Sequence, residues 1–472
     1  MIKSYYDRAV NLCRLMYKRD YDLQTEEGRG LERYRRGILT TGVMLLFKIS
    51  TILMNIITIP LILKYLKEDL SGVWMIITGL VEFAGFYDLG LGVGLRNLLI
   101  KCNAAADDRH ARQLIANGMA VLFVLSLILV LAVFFVIPLL PWTTIIRCKE
   151  AAASAQIVPA MSAALLAFAV GLPLMQILNV TVAYQRGYWG YSFFLLGRFS
   201  AFVFIFLCFA YRLPFWALTG GYLGIPYLCL IGGWIAFFRK YPGLFPRRIE
   251  VNFGYIRQLF GVGCWLAVHE LGYSAINVSP LVILGNTIGA ASTIPYSLTM
   301  KLLNTTTIFA SAYRTGIYGA VGEAWHTGDL SWVRGILKKT VAVWFLTTWS
   351  LLLMFIFIGP FIIRIWTGNP VAVPSHLLVF LCALVVAFSI AGSLVSGFLL
   401  SMNFVQFVAI CSVVCAGLQI GFCYLAGAVT QSVNTVVTTN FIFGMLLPLG
   451  VYAYYLACKM RDRVRSFREK GW

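Results

Sequence analysis

Charged residues are scarce in this chain. Asp, Glu, Lys and Arg make up 12% of its 472 residues, whereas hydrophobic residues make up 60%. A soluble domain averages roughly 25% charged residues. The composition therefore excludes a soluble globular protein and indicates a membrane protein.

Long polar loops are also absent. The largest segment between apolar runs spans about residues 239–257, and the chain contains no P-loop pattern. A nucleotide-binding domain has no room, so transport driven by ATP is excluded. Membrane enzymes that polymerise or ligate glycans usually carry a large catalytic loop, so we predict no enzyme, no catalytic residue and no cofactor.

The eleven cysteines form no recognisable site. Most lie inside apolar runs, where Cys acts as a small hydrophobic residue, for example Cys208, Cys229, Cys264 and Cys382. Cys148 is the cysteine that we place outside the membrane, so a disulfide framework is not expected. Cys411 and Cys415 share a helix face, but no His or carboxylate follows them nearby, and no metal site is predicted.

Apolar runs of about 20 residues recur along the chain, and each is long enough to cross a ~30 Å hydrocarbon core. Because a backbone in lipid must satisfy its own hydrogen bonds, these runs should be helices. We predict twelve spans, at 37–63, 72–96, 113–140, 156–182, 190–210, 215–238, 258–284, 290–318, 341–363, 376–399, 404–426 and 432–457.

The two halves of the sequence align at an offset of about 222 residues, which places Asp107 on Asp329 and Pro138 on Pro360. This indicates an all-α membrane protein of two six-helix lobes related by a parallel pseudo-repeat. The predicted parts are a basic N-terminal segment (1–36), an N-lobe (37–238), a linker (239–257), a C-lobe (258–457) and a basic tail (458–472).

Basic residues predict the orientation. With both termini in the cytoplasm, the inner segments hold 28 of the 38 Lys and Arg residues and the outer loops hold six. This asymmetry accounts for most of the net charge of +19. It favours contact with anionic membrane lipids over nucleic-acid binding. Residues 1–36 are expected to form either an interfacial helix or a basic tail without order.

The most distinctive run extends from Phe86 to Asn97, FYDLGLGVGLRN, and contains the motif residues Gly90, Gly92, Gly94, Arg96 and Asn97. Its G-x-G-x-G spacing and the absence of a preceding strand argue against a dinucleotide site. In a span, such glycines allow close helix packing or local unwinding. Together with Ser71-Gly72-Val73-Trp74 before it and Asp107-Asp108 after it, this run resembles the second-span region of Wzx-like O-antigen flippases.

That family belongs to the multidrug/oligosaccharidyl-lipid/polysaccharide (MOP) exporter superfamily. The resemblance implies a bacterial inner-membrane protein that moves an undecaprenyl-diphosphate-linked oligosaccharide between leaflets by alternating access. It also implies possible association with other proteins of polysaccharide assembly.

Charges inside the spans give a second line of evidence, because Lys, Arg or Asp at the centre of a membrane helix costs roughly 2.5–3.5 kcal/mol on an insertion scale. The cations are Lys48, Arg198, Lys301 and Arg314. A cavity lined by them would suit a diphosphate and acidic sugars. Each could instead form an internal ion pair or extend to the headgroups, as Arg314 can from the inner end of its span.

The span anions are Glu82, Asp88 and Glu270. Asp88 is interpreted as structural, bonding an unwound backbone or pairing with Arg96. Glu82 and Glu270 are candidates for coupling to H⁺ or Na⁺. At the repeat offset Lys48 aligns with Glu270, so an ion pair that forms a gate between the lobes is a hypothesis.

Two alternatives remain open from the sequence. A MATE-like drug or metabolite antiporter would share the fold, although it is expected to have an acidic cavity. A membrane glycan ligase or polymerase is opposed by the short outer loops.

Overall fold

The structure is a computed structural model that describes residues 26–83, 91–148, 150–246, 252–307 and 327–469, with the pairs 317–318, 321–322 and 324–325. Within these ranges the chain forms helices joined by short turns, and no strand occurs. Nine of the described helices are long and apolar enough to span a membrane, and a tenth is counted if Phe253–Phe260 and Gly263–Thr287 are taken as one bent span. The prediction of an all-α, multi-pass membrane protein is confirmed.

Besides a four-residue helix (Trp142–Ile145), seven longer helices lie in the described first half of the chain. They are α1 (Glu26–Tyr65), α2 (Glu68–Phe83), α3 (Leu91–Ala105), α4 (Asp108–Phe135), α5 (Ala151–Ala183), α6 (Gly187–Ala210) and α7 (Phe215–Lys240).

The second half contains α8 (Phe253–Thr287), α9 (Thr293–Asn304), α10 (Leu330–Thr367), α11 (His376–Ser401), α12 (Val405–Thr430), α13 (Val433–Thr439), a π-helical segment (Asn440–Leu446) and α14 (Leu447–Glu469). The predicted second span corresponds to α2 and α3, and the predicted eighth begins with α9; both run into residues outside the described ranges.

Several helices continue beyond their apolar runs. Helix α1 begins at Glu26, well before the predicted start of the first span. Glu32 accepts hydrogen bonds from Arg35 and Arg36 at 2.7 Å, three and four residues further along the same helix face. The hydrogen bonds from Arg35 hold the pKa of Glu32 below its usual range. The interfacial helix expected at the N-terminus falls largely on residues 1–25, outside the described part of the chain.

The internal repeat is visible in backbone geometry. Asp107 caps α4 by accepting from the His110 N–H, and Asp329 caps α10 by accepting from the Trp332 N–H, at 3.0 Å in both cases. The residue before each aspartate has a positive φ, +53° at Ala106 and +87° at Gly328. The same turn thus recurs at an offset of 222 residues, as the sequence alignment predicts.

The chain divides into two compact units that do not follow the sequence order of its halves. Unit 1 contains residues 1–58, 88–139 and 159–263, and unit 2 contains residues 59–87, 140–158 and 264–472. Helix α2 therefore groups with the helices of the second half. The lobe boundaries predicted from the sequence stay a prediction.

Unit 1 is organised around α3. Its buried leucines Leu91, Leu95 and Leu99 join one hydrophobic cluster with residues of α4, α5, α7 and the start of α8. Gly94 permits this packing, because a Cβ atom at that position would lie 2.3 Å from the carbonyl oxygen of Leu259. The motif glycine therefore serves close helix packing.

Unit 2 packs α2 against the α8–α9 region. A Cβ atom at Gly72 would lie 2.0 Å from the carbonyl oxygen of Ala290, so only glycine allows this approach. Gly79 lies similarly against the side chain of Leu281. The first half of the predicted second span thus belongs to the core of unit 2.

Candidate functional site

Arg198 lies at the middle of the span formed by α6. Its guanidinium carbon lies 5.4 Å from the centre of the Phe194 ring, one helical turn earlier. Its Nε atom is buried and has no hydrogen-bond partner among the described residues. Because its described contact is with a ring face, the guanidinium retains its capacity to bind an anion.

Lys48 lies on the neighbouring helix α1, again well inside the span. The two helices contact each other through stacked rings of Phe47 and Phe194, whose centres are 5.0 Å apart. Lys48 follows Phe47 directly, and its side chain is exposed. The aromatic contact therefore joins the helices that carry two of the four predicted cations.

The motif contributes a third cation to the same region of unit 1. Arg96, on α3, is half-buried and follows Leu95, which belongs to the same hydrophobic cluster as Phe194. The Tyr191 ring contacts Phe47 edge-on, with ring centres 6.3 Å apart. We refer to Lys48, Arg96, Arg198 and the rings of Phe47, Tyr191 and Phe194 as the cationic cluster.

The other motif residues have different environments. Gly92 is buried and Gly94 packs against α8, whereas Asn97 is exposed on α3. Gly90 and Asp88 lie outside the described residues, so the structural role predicted for Asp88 stays a prediction.

Unit 2 carries the other predicted charges. The ammonium of Lys301, on α9, lies 3.8 Å from the sulfur of Met75, which is fully buried on α2. Glu270 is half-buried on α8. Glu82 belongs to the last turn of α2, where the backbone alone is described, and Arg314 falls outside the described ranges. Because Lys48 and Glu270 belong to different units, the gate pair stays a prediction.

A chain of hydrogen-bonded polar side chains, which the sequence does not indicate, begins beside Glu270. His269 is only 5% exposed, and its Nδ1 atom shares a hydrogen bond with the hydroxyl of Ser412. That hydroxyl contacts the phenol of Tyr452 at 2.8 Å. The three residues come from α8, α12 and α14, and no local pattern in the sequence connects them.

The π-helical segment contains a second feature without a sequence signal. Asn440 is 1% exposed, yet neither polar atom of its amide has a hydrogen-bond partner within the described residues. Single π-helical turns occur frequently at functional sites. In the described ranges, no three His, Cys, Asp or Glu side chains converge to hold a metal ion.

No protein-family model and no curated protein matches this sequence. Solved structures, however, share its fold. An inward-facing multidrug resistance MATE family transporter of the MOP superfamily aligns with a TM-score of 0.70 at 12% identity, over 87% of this chain and 96% of that one. The lipid II flippase MurJ, in an inward closed conformation, aligns with a TM-score of 0.65 at 13% identity, over 88% and 87%.

A MOP superfamily transporter from Pyrococcus furiosus, described as having a binding pocket of reverse polarity that suggests a different function, aligns with a TM-score of 0.61 at 12% identity. The alignment covers 91% of this chain and 94% of that one. The chain therefore shares the fold of these solved transporter structures. At these identities the likeness is one of fold, and the substrate has to be argued from the residues.

Proposed function

We propose that this protein is a flippase that moves an undecaprenyl-diphosphate-linked oligosaccharide from the inner to the outer leaflet of the bacterial inner membrane by alternating access. The observation that carries the proposal is Arg198. Its guanidinium lies mid-span with a buried Nε that has no hydrogen-bond partner among the described residues. Such a group is costly in a membrane helix unless it serves a ligand or a wet cavity.

The chemistry of the cationic cluster supports an anionic substrate. Its three cations, Lys48, Arg96 and Arg198, lie on α1, α3 and α6 of unit 1 and have no carboxylate in a described ion pair with them. Guanidinium groups match the geometry of phosphate oxygens, and aromatic faces suit sugar rings and isoprenoid carbon chains. A diphosphate linked to a lipid and a glycan combines phosphate oxygens, an isoprenoid chain and sugar rings in one molecule.

The fold supports the same reading in a weaker way. The MurJ structure is described as a lipid II flippase, so the fold accommodates a lipid-linked substrate in at least one protein. The Wzx-like resemblance of residues 86–97 points to a surface-polysaccharide unit as the substrate class.

A MATE-like antiporter of drugs or metabolites is the second candidate, because a MATE family structure shares the fold with a TM-score of 0.70. Under either reading, Glu82 and Glu270 are proposed to couple transport to H⁺ or Na⁺. Lys301 and Arg314 are proposed to bind substrate from the second half of the chain.

The direct test is transport by the purified protein in liposomes. A fluorescent polyprenyl-diphosphate oligosaccharide in the outer leaflet would be bleached from outside, and the protected fraction gives the flipping rate. Arg198→Ala should lower the rate about tenfold to a hundredfold, since a hydrogen bond to a charged group contributes about 1.5–3 kcal/mol. Arg198→Lys should give an intermediate rate, because it keeps the charge but loses the planar fork.

Arg109→Ala is the matched control, since Arg109 is an exposed arginine of unit 1 in the first turn of α4, before the apolar run predicted to span the membrane. It should leave flipping unchanged. If the wild-type protein flips no lipid-linked glycan but exchanges organic cations for H⁺ or Na⁺, the antiporter is the correct reading. Equal losses in Arg109→Ala and Arg198→Ala would show that the assay reports general damage instead of substrate binding.

A further inference from the structure

Unit 2 contains a groove of about 590 Å³ between α10, α11 and α14. Its apolar wall includes Leu337 and Val341 of α10, Val395 of α11, and Ala453 and Leu456 of α14. Ala453 and Ala457 are exposed on this face, so small side chains keep the groove open. Val341, Val395 and Leu456 of this wall fall within the predicted spans, so the wall lies at membrane depth.

Three arginines line the same groove, namely Arg334, Arg461 and Arg465. All three are exposed, and none has a hydrogen-bond or ion-pair partner among the described residues. Arg334 lies about one turn after the start of α10, and Arg465 is the last residue of the final candidate span. The charges therefore lie at one end of the groove, at the level where a span ends.

The repeat provides an internal comparison. A groove of about 560 Å³ in unit 1 is lined by Ile115, Met119, Ile231, Trp234 and Phe238, the counterparts at offset 222 of Leu337, Val341, Ala453, Leu456 and Met460. Arg239 likewise corresponds to Arg461, and it is the single arginine that lines the unit 1 groove. The two grooves share a framework and have similar volumes, but they differ in charge.

We propose that the unit 2 groove is a binding site for an anionic phospholipid, with its phosphate held by Arg334, Arg461 and Arg465 and an acyl chain along the apolar wall. The shape and the charge together select this occupant. An apolar channel with three guanidinium groups at its interfacial end is complementary to a molecule with a negative head and a hydrocarbon tail. A zwitterionic lipid would bring its own cation to the arginines.

The site is distinct from the proposed substrate cluster, since it lies in unit 2 and contains none of those residues. Its affinity can be estimated from the charge alone. Each basic residue near a membrane surface strengthens anionic lipid binding by about fivefold, so three together give about a hundredfold. In the unit 1 groove, the one arginine should strengthen anionic lipid binding about fivefold.

The test is native mass spectrometry of the full-length protein released from detergent micelles, titrated with phosphatidylglycerol or phosphatidylcholine. The wild type should retain phosphatidylglycerol preferentially, and the triple variant R334A/R461A/R465A should lose about a hundredfold in affinity. Ala453→Trp, which fills the apolar wall and leaves the charges, should weaken binding at least tenfold.

Arg239→Ala, in the unit 1 groove, is the matched control and should leave the affinity of the unit 2 groove for phosphatidylglycerol unchanged. Equal retention of both lipids, or an unchanged affinity in the triple variant, would overturn the proposal. Displacement of phosphatidylglycerol by a lower concentration of polyprenyl diphosphate would also overturn it, because the groove would then belong to the transported lipid. Lipid retention is measured without transport, so its failure is distinguishable from failure of the flippase proposal.

Discussion

Replacing Arg198 by leucine should stabilise the ligand-free protein while lowering the transport rate about tenfold to a hundredfold. Arginine at the centre of a membrane helix costs roughly 2.5–3.5 kcal/mol. In this structure the guanidinium regains only its contact with the Phe194 ring at 5.4 Å, which is worth about 0.5–2 kcal/mol. The difference leaves a net destabilisation of about 0.5–3 kcal/mol that leucine would remove.

The assay is thermal unfolding in detergent, followed by intrinsic tryptophan fluorescence, alongside flipping in liposomes. A gain of about 0.5–3 kcal/mol should raise the midpoint by about 0.5–3 °C in a protein of this size. Addition of a polyprenyl diphosphate should raise the midpoint of the wild type further but leave that of Arg198→Leu unchanged, because a ligand stabilises only the protein that binds it.

The refuting result is a lower midpoint for Arg198→Leu. A structural arginine would hold partners together, and its loss would leave buried polar groups unpaired. Transport and stability would then fall together, and the role of Arg198 in substrate binding would lose its main support.

Three further predictions concern packing, capping and gating. Gly94→Ala should destabilise the protein by about 1–3 kcal/mol, because its Cβ atom would lie 2.3 Å from a carbonyl oxygen of α8. The control is Gly421→Ala, which has no atom within 4 Å of the added Cβ atom and should be neutral or slightly stabilising in the same thermal melt. The N–H of Trp332, the third residue of α10, lowers the pKa of the Asp329 carboxyl. The ionised carboxylate therefore stabilises the helix start fully above a pH of about 4, and this stabilisation is lost as the pH falls through the folded-state pKa. Asp329→Asn should reduce the fall of the melting temperature at acid pH. If Lys48 and Glu270 form a gate, each charge reversal should abolish transport and the exchange K48E/E270K should restore it, and failure of the exchange to restore transport would reject the pair.

The spans were predictable because their signal is local. A helix in lipid satisfies its backbone hydrogen bonds within itself, so a run of about 20 apolar residues identifies it without knowledge of its neighbours. The ends were less predictable: α1 begins at Glu26 and α14 continues to Glu469, because polar helical turns outside the membrane have no hydropathy signal. The repeat was predictable from Asp107 and Asp329, since a helix cap depends on a few adjacent residues.

The candidate site was predictable in residue type but not in arrangement. A charge within an apolar run is visible in the sequence, and this identified Lys48 and Arg198. The contact of their helices through Phe47 and Phe194 joins residues nearly 150 positions apart, and no local pattern encodes it. The same limit explains why the sequence did not reveal the His269–Ser412–Tyr452 chain.

The sequence by itself determined the class of protein, the helices and the repeat, because hydropathy and helix capping act over one or two helical turns. Only the tertiary structure decided that α2 packs with the second half of the chain, that Gly94 meets a carbonyl of α8, and that Arg334 shares a groove with Arg461 and Arg465. In the sequence, those arginines indicate only the orientation of the protein in the membrane. Side-chain packing between distant helices is set by shape and close contact, and these exist only once the chain has folded.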